Sequence, residues 1–361
     1  MTYYAPYVSG LTNFARDVAE GLAARGRQVR VITTRHDPAL PSEEVVNGVR
    51  VSRAPVLAKL GKGTISPEFT RMVIAASKTA HVLNVHLPML EAGLVAKGAH
   101  CPVVLTYHCD VSLPPGLVNT VQGKVIDASS RLAMKHARIV AVTSEDYARQ
   151  SRLWTSIQPT MAAIPPPCRP VPEGQPSYRD GDGFHVGFLG RIVEEKGVEF
   201  LVDGFRALDD PDARLLIGGE FGNVAGGSVI DRVRTRIDGD PRIKLLGFIP
   251  DEKLGDFYAS MDVFALPSVN AFEAFGIVQV VGMLAGVPAL ASDLPGVRIP
   301  VRETGFGALV RPRVAADITD RLRELRDTPP DRAAGVAAAG ERYSVPAVLD
   351  AYDELFTKAR L

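Results

Sequence analysis

The chain has 361 residues, 46% apolar and 23% charged, which excludes wholesale disorder and leaves room for about two domains of roughly 150 residues each. Its 41 basic and 41 acidic side chains balance, which argues against a protein built to coat nucleic acid. Divided near Pro170 the balance breaks: residues 1–170 hold 19 basic and 11 acidic groups, a net +8, leaving 22 and 30, a net −8.

In chain order, only residues 1–4 precede the loop APYVSG, where a doubly wound domain needs a strand. The first strand is therefore read as unusually short or as lacking its opening residues. Leu11, Phe14, Val18 and Leu22 recur at helical spacing and predict an amphipathic helix with Gly26 as C-cap. Strands are expected at 29–33, 82–86, 103–108 and 139–143, and Ser66-Pro67 reads as an N-cap with proline at the first helical position. Residues 164–183, with six prolines, cannot continue a helix or pair in a central strand, so 169–183 is expected to be a linker. Beyond it, strands at 186–189, 215–217, 243–246, 263–266 and 289–292 alternate with helices beginning near Val198, Asp251 and Phe275. A last helix is expected from about 346 to 359. This alternation is the signature of stacked βαβ units, hence two α/β domains with parallel sheets, at 1–168 and 184–345, closed by the helix 346–361.

Three cysteines, Cys101, Cys109 and Cys168, are too few for a disulfide framework and fit no zinc spacing, so a reduced, cytoplasmic compartment is expected. The longest apolar stretch, 275–291, is broken by Gln279, Gly282, Gly286 and Pro288, and reads as a buried helix followed by a strand.

Two segments carry chemistry. LGRIVEEKG sets Gly190, Arg191 and Lys196 between a strand and a helix, on the rim where open α/β sheets bind ligands. Two cations there suit a diphosphate, though pairing with Glu194 and Glu195 is an equal reading. In LPSVNAFEAFGIVQ, Glu273 lies in a loop ahead of a helix, and the amides of Phe275, Gly276 and Ile277 would face the same rim. That carboxylate can accept hydrogen bonds from sugar hydroxyls or simply cap the helix.

Together with PYVSGLTNFA, TYHCD, LLIGGE, LGFIPDEKL and GMLAGVPALASDLPG, these segments make the chain resemble retaining glycosyltransferase family 4 over nearly its whole length. The resemblance implies the GT-B fold: two Rossmann-like domains facing across a cleft, with the C-terminal helix packing back on the first. It implies a nucleoside-diphosphate sugar donor, UDP- or GDP-linked, and an acceptor that is a small molecule, a glycan or a lipid-linked group. It also implies no cofactor and no metal. Arg191 and Lys196 would neutralise the diphosphate, Glu273 would grip the transferred sugar, and the backbone from Phe275 through Ile277 to Val278 would support sugar and phosphate. Ser9 and Gly10 would approach the diphosphate, and His108 the sugar; Asp110 is as well read as a turn cap.

One position departs from the pattern. The family places a second glutamate eight residues after the first, to chelate the ribose; Val281 stands there and offers no acceptor. Gln279 is no substitute, being about 200° round the helix. A tolerant donor site, another ribose ligand and impaired catalysis all remain open, and so do a sugar-binding scaffold and a nucleotide-sugar epimerase. Restoring the pattern by Val281→Glu with Gly282→Ala is expected to tighten donor binding. Two Asp-x-Asp strings, at 180–182 and 238–240, sit in glycine-bearing turns and are not read as metal ligands. The basic first half, with its expected acceptor loops at 58–69 and 111–118, would meet a phosphorylated acceptor or the anionic inner face of a membrane, or would simply complement the acidic second half across the cleft.

Overall fold

The computed structural model describes every residue except 61–62, 112–115, 221, 223–226 and 271, and excludes the side chains of Lys59, Leu60 and Val118. Parts of the expected acceptor loops, including Lys62, therefore lie outside the described residues. The chain separates into two compact units, Met1–Pro167 with Val345–Leu361, and Cys168–Ser344.

In the first unit, α1 (Gly10–Ala24) buries Phe14, Val18 and Leu22 on one face. A capping box opens it: Ser9 Oγ accepts from the Thr12 amide, and the Thr12 hydroxyl accepts from the Ser9 amide at 2.8 Å. The C-cap is Arg25 rather than Gly26, which follows it. Next come β1 (Arg30–Thr34), β2 (Glu43–Val46) and β3 (Val49–Ala54), in the order β1-β3-β2. β2 and β3 are antiparallel about Asn47-Gly48, both at positive φ, an unanticipated hairpin. β4 (Ala58–Leu60) and β5 (Gly63–Ile65) form a second hairpin, followed by α2 (Pro67–Ser77), which Ser66 caps as expected.

Then β6 (Leu83–Leu87), α3 (Ala92–Gly98), β7 (Val103–Tyr107), α4 (Leu117–His136), β8 (Ile139–Val142), α5 (Glu145–Gln150), α6 (Trp154–Ile157) and β9 (Met161–Ala163) follow. Their strands make a parallel sheet in chain order, with every residue of β7 and β8 buried. The segment at residues 1–4 forms no strand. The Thr34 amide and the hydroxyls of Thr33 and Thr34 all donate to the Thr2 carbonyl, at 3.1, 2.9 and 2.6 Å. The two larger sheets of this unit stay separate, and a cavity of about 980 Å³ is lined by Val31 of β1 and Val85 of β6.

The second unit runs β10 (His185–Leu189), α7 (Val198–Arg206), β11 (Arg214–Gly218), α8 (Ile230–Ile237), β12 (Ile243–Gly247), α9 (Leu254–Ala259) and β13 (Val263–Leu266). It continues with α10 (Ile277–Leu284), β14 (Ala289–Ser292), α11 (Ile299–Thr304), β15 (Gly307–Val310), α12 (Ala315–Asp327) and α13 (Arg332–Tyr343). The sheet is parallel in the order β12-β11-β10-β13-β14-β15. That is the doubly wound order 3-2-1-4-5-6, whose winding reverses between β10 and β13. The helix expected near Phe275 starts two residues later, and the one near Asp251 opens with a 3-10 turn.

The proline-rich stretch is fastened to this unit: the Gln175 amide donates to Asp256 Oδ1 at 2.9 Å, and Arg179 pairs with Asp262. Finally α14 (Val345–Arg360) belongs to the first unit. Leu349 packs beside Gly21, Tyr352 meets Phe14 edge-on, and Arg27 clasps Asp353 with two hydrogen bonds.

Candidate functional site

The switch point of the second unit gathers the residues singled out in its sequence. β10 ends at Leu189, and the Gly190 amide donates to the Gly218 carbonyl at 3.1 Å, bending the chain along the carboxyl rim. Arg191 follows with its guanidinium half exposed, one nitrogen 3.2 Å from Glu195 Oε1. A 3-10 turn at Glu194–Lys196 then turns the Lys196 side chain past Gly190. Gly197 has φ +63°, and a Cβ there would lie 2.2 Å from the Pro267 carbonyl oxygen. Only glycine lets the loop after β10 come this close to the loop after β13. The Val269 amide ties the two by donating to the Glu195 carbonyl at 3.0 Å.

Across that contact the Lys196 ammonium donates to Glu273 Oε2, and both side chains are largely buried. The equal reading of Arg191 and Lys196 thus resolves unequally: Arg191 does pair with Glu195, while Lys196 pairs with Glu273. Behind Glu273, Phe275 is buried, and Gly276, at φ +81°, precedes α10. Gln279 is buried and donates from Nε2 to the carbonyls of Phe275 and Val297, at 2.9 and 2.8 Å. It locks the loop, in keeping with its orientation away from the expected ribose position. Tyr258 Oη donates to the Val278 carbonyl at 3.0 Å, so the backbone from Phe275 to Val278 is braced from two sides. Ile277 and Val281 are partly buried on α10, packed against the apolar core. A methyl group at Gly282 would come within 3.2 Å of the Tyr258 ring, so Gly282→Ala crowds the helix and Val281→Glu alone is the cleaner change.

In the first unit, the Ser9 hydroxyl is engaged in the cap of α1. Among the described residues nothing beyond its chain neighbours and its own helix lies within 4 Å of a Cβ placed on Gly10, so the fold does not demand glycine there. His108 follows β7, its amide donating to the Leu87 carbonyl at 3.1 Å. Its ring lies nearly parallel to that of His86 and edge to edge with it, centroids 5.2 Å apart and His108 Nε2 2.9 Å from His86 Nδ1, and it meets Phe14 edge-on. Burial lowers the His108 pKa to about 3 and holds His86 well below its ordinary value, with the His108 ring adding to the depression. Both rings are therefore neutral near pH 7.

His86 escaped the sequence reading. The signal was present, since His86 and His108 close two consecutive expected strands, and parallel neighbours bring such ends together. Asp110 is structural: Oδ1 accepts from the hydroxyls of Tyr107 and Ser151 at 2.6 and 2.9 Å.

The Asp-x-Asp strings are occupied by cations. Asp180 pairs with Lys244 and Arg214, and Asp240 with Arg242. Among the described residues no group of three or more His, Cys, Asp or Glu side chains could hold a metal ion. None of the three cysteines is joined in a disulfide, and burial pushes the Cys109 thiol up to about 11. Among the described residues no helix is long and apolar enough to cross a membrane.

Comparison with known proteins bears on this arrangement. Residues 9–167 match the glycosyl transferase 4-like domain, and residues 183–328 match glycosyl transferases group 1. The D-inositol 3-phosphate glycosyltransferase of Xylanimonas cellulosilytica is 27% identical over 97% of this chain and 93% of its own. The phosphatidyl-myo-inositol mannosyltransferase of Mycobacterium leprae is 29% identical over 92% and 87%. Sucrose-phosphate synthase from Thermosynechococcus elongatus superposes with TM-score 0.75 at 21% identity, over 99% and 95% of the two chains. Anabaena HepE in complex with UDP gives 0.72 at 17%, over 99% and 100%. With both units matched in order and the fold shared along its length, the chain belongs to the group 1 glycosyltransferases and has the GT-B fold.

Proposed function

We propose that the second unit binds a UDP- or GDP-sugar at the β10–β13 switch point, and that the enzyme transfers the sugar with retention of its anomeric configuration and without a metal ion. The bond between the anomeric carbon and the diphosphate oxygen breaks, and the acceptor hydroxyl forms a new bond to that carbon. The acceptor proton departs with the nucleoside diphosphate. Arg191 and Lys196 stabilise the negative charge growing on the leaving diphosphate, replacing a divalent cation. Glu273 receives sugar hydroxyls, and the amides at the start of α10 hold phosphate or sugar oxygens. Ser9, Gly10 and His108 keep the donor and sugar roles expected of them.

The observation that carries this reading is the Lys196–Glu273 pair, a cation and a carboxylate brought from separate loops to the one rim where such sheets bind nucleotides. The names of the two relatives support an acceptor that is a phosphorylated polyol or a lipid-linked one. The test is product analysis with labelled UDP- and GDP-sugars and inositol phosphate or phosphatidylinositol acceptors. Stoichiometric nucleoside diphosphate and a retained-configuration glycoside are expected, with activity undiminished by EDTA. Epimerised donor, or nucleotide binding without turnover across the panel, would reject transfer in favour of the epimerase or scaffold reading.

We further propose that the first unit docks on an anionic inner membrane face. Leu117, Val121 and Val125 lie one turn apart on α4 and are 83%, 54% and 48% exposed. Lys124, Arg131 and Lys135 share that exposed side, and the only acid of α4, Asp127, is buried against Arg152. An apolar row flanked by cations fits an anionic bilayer surface. Sedimentation with phosphatidylglycerol vesicles should remove the protein from solution, and Val121→Ser with Val125→Ser should leave it there. Equal sedimentation of both proteins would reject this surface.

A further inference from the structure

His86 sits within a chain of hydrogen bonds that has a direction. Thr106 Oγ1 donates to Asn84 Oδ1 at 3.0 Å, which leaves the Asn84 amide nitrogen, a donor only, facing His86 Nε2 at 3.4 Å. A nitrogen that accepts carries no proton, so in the neutral His86 ring the proton lies on Nδ1. That N–H points at His108 Nε2, 2.9 Å away, which must therefore accept. The proton of neutral His108 is then on Nδ1, which makes no hydrogen bond among the described residues. The geometry follows from register: β6 and β7 pair in parallel with Asn84 opposite Val104 and His86 opposite Thr106, and His108 is tied by its amide to Leu87.

We infer that His86 is a positioning residue, which with Asn84 and Thr106 fixes His108 in the Nδ1–H tautomer so that His108 presents a hydrogen-bond donor, rather than a base, to an oxygen of the sugar substrate. The tautomer stands on this unit's geometry alone, and only its catalytic consequence rests on the sugar-binding role proposed for His108. Free imidazole favours the other tautomer in water, so the relay has something to overcome. The nearly parallel rings, 15° apart, and the edge of Phe14 leave His108 little freedom to turn over. Burial of both rings also keeps a second proton from entering and reversing the polarity.

Nitrogen-15 spectra of histidine-labelled protein test the assignment without turnover. In the unsubstituted protein at pH 7, His108 should show Nδ1 protonated and Nε2 bare. His86→Phe keeps a ring of similar shape but removes the donor, and should shift His108 toward the Nε2–H form. His86→Asn, whose amide nitrogen replaces Nδ1, should restore the first pattern. In the transfer assay kcat should fall by about tenfold in His86→Phe with donor KM nearly unchanged, and recover in His86→Asn. A protonated His108 Nε2 in the unsubstituted protein, or an unchanged His108 spectrum in His86→Phe, would overturn the inference. Absence of turnover with every donor and acceptor would count against the transferase reading and leave the spectra to decide the tautomer.

Discussion

Lys196 and Glu273 are 77 residues apart and meet because β10 and β13 are neighbours in the sheet and Gly197 lets their loops touch. Glu195 lies against the more exposed Arg191, so removing that cation should spare the fold and cost chemistry. Arg191→Ala should lower kcat by about 100-fold or more, as loss of a group that stabilises developing charge does, with the melting temperature unchanged. Val281→Glu should tighten nucleotide-sugar binding by about tenfold or more, from new charge-assisted hydrogen bonds to the ribose, as read by calorimetry. Unchanged or weaker affinity would move the ribose elsewhere. The buried histidines add a pH dependence. The unfolded chain takes up their protons as pH falls through about 6.5, while the folded protein resists until far lower, about 3 for His108. Stability is therefore complete above about 6.5 and falls as pH drops below it. Denaturant midpoints at pH 7 and pH 5 should differ less in His86→Asn than in the unsubstituted protein.

At the scale of elements, the loop after β10 is the one whose shape matters most. Gly197→Ala places a methyl group against the Pro267 carbonyl and forces a left-handed conformation on alanine. It should destabilise the protein by about 1–3 kcal/mol in urea unfolding and weaken donor binding with it. Unaltered donor affinity would show that the two loops need not be stitched. The same elements show what the sequence made legible. β10, β11, β13 and β14 were readable because each is a short, nearly continuous apolar run between turn residues, as strands buried on both faces must be. β2 and β3 were missed because the run EEVVNGVRV mixes charges with valines, although Asn47-Gly48 is a strong hairpin signal. Candidate residues that directly follow a strand, such as Gly190 and His108, are legible in the sequence. His86, whose significance depends on its neighbour across the sheet, is not until register is known.

Taken whole, the molecule is two units with separate cores, and the charge division near Pro170 falls close to their boundary. The proline-rich stretch that looked like a free linker belongs to the second unit because its backbone and Arg179 find partners there. Conversely α14, the last segment of the chain, completes the first unit by burying Val348, Leu349, Tyr352 and Leu355. Tyr352→Ala should therefore cost about 3–5 kcal/mol in the first unit while nucleotide still binds the second. Calorimetric scans with and without nucleoside diphosphate should show ligand stabilisation surviving in that variant.

The central claim is that the switch point between β10 and β13 is the donor site. Titration calorimetry of UDP- and GDP-sugars against the unsubstituted protein, Lys196→Ala and Glu273→Gln tests it most directly. The account predicts saturable binding of one nucleotide sugar, weakened by about tenfold or more in Lys196→Ala. In Glu273→Gln, binding of the sugar nucleotide should weaken while the nucleoside diphosphate alone binds as before. Equal affinity of all three proteins for the same donor would contradict it.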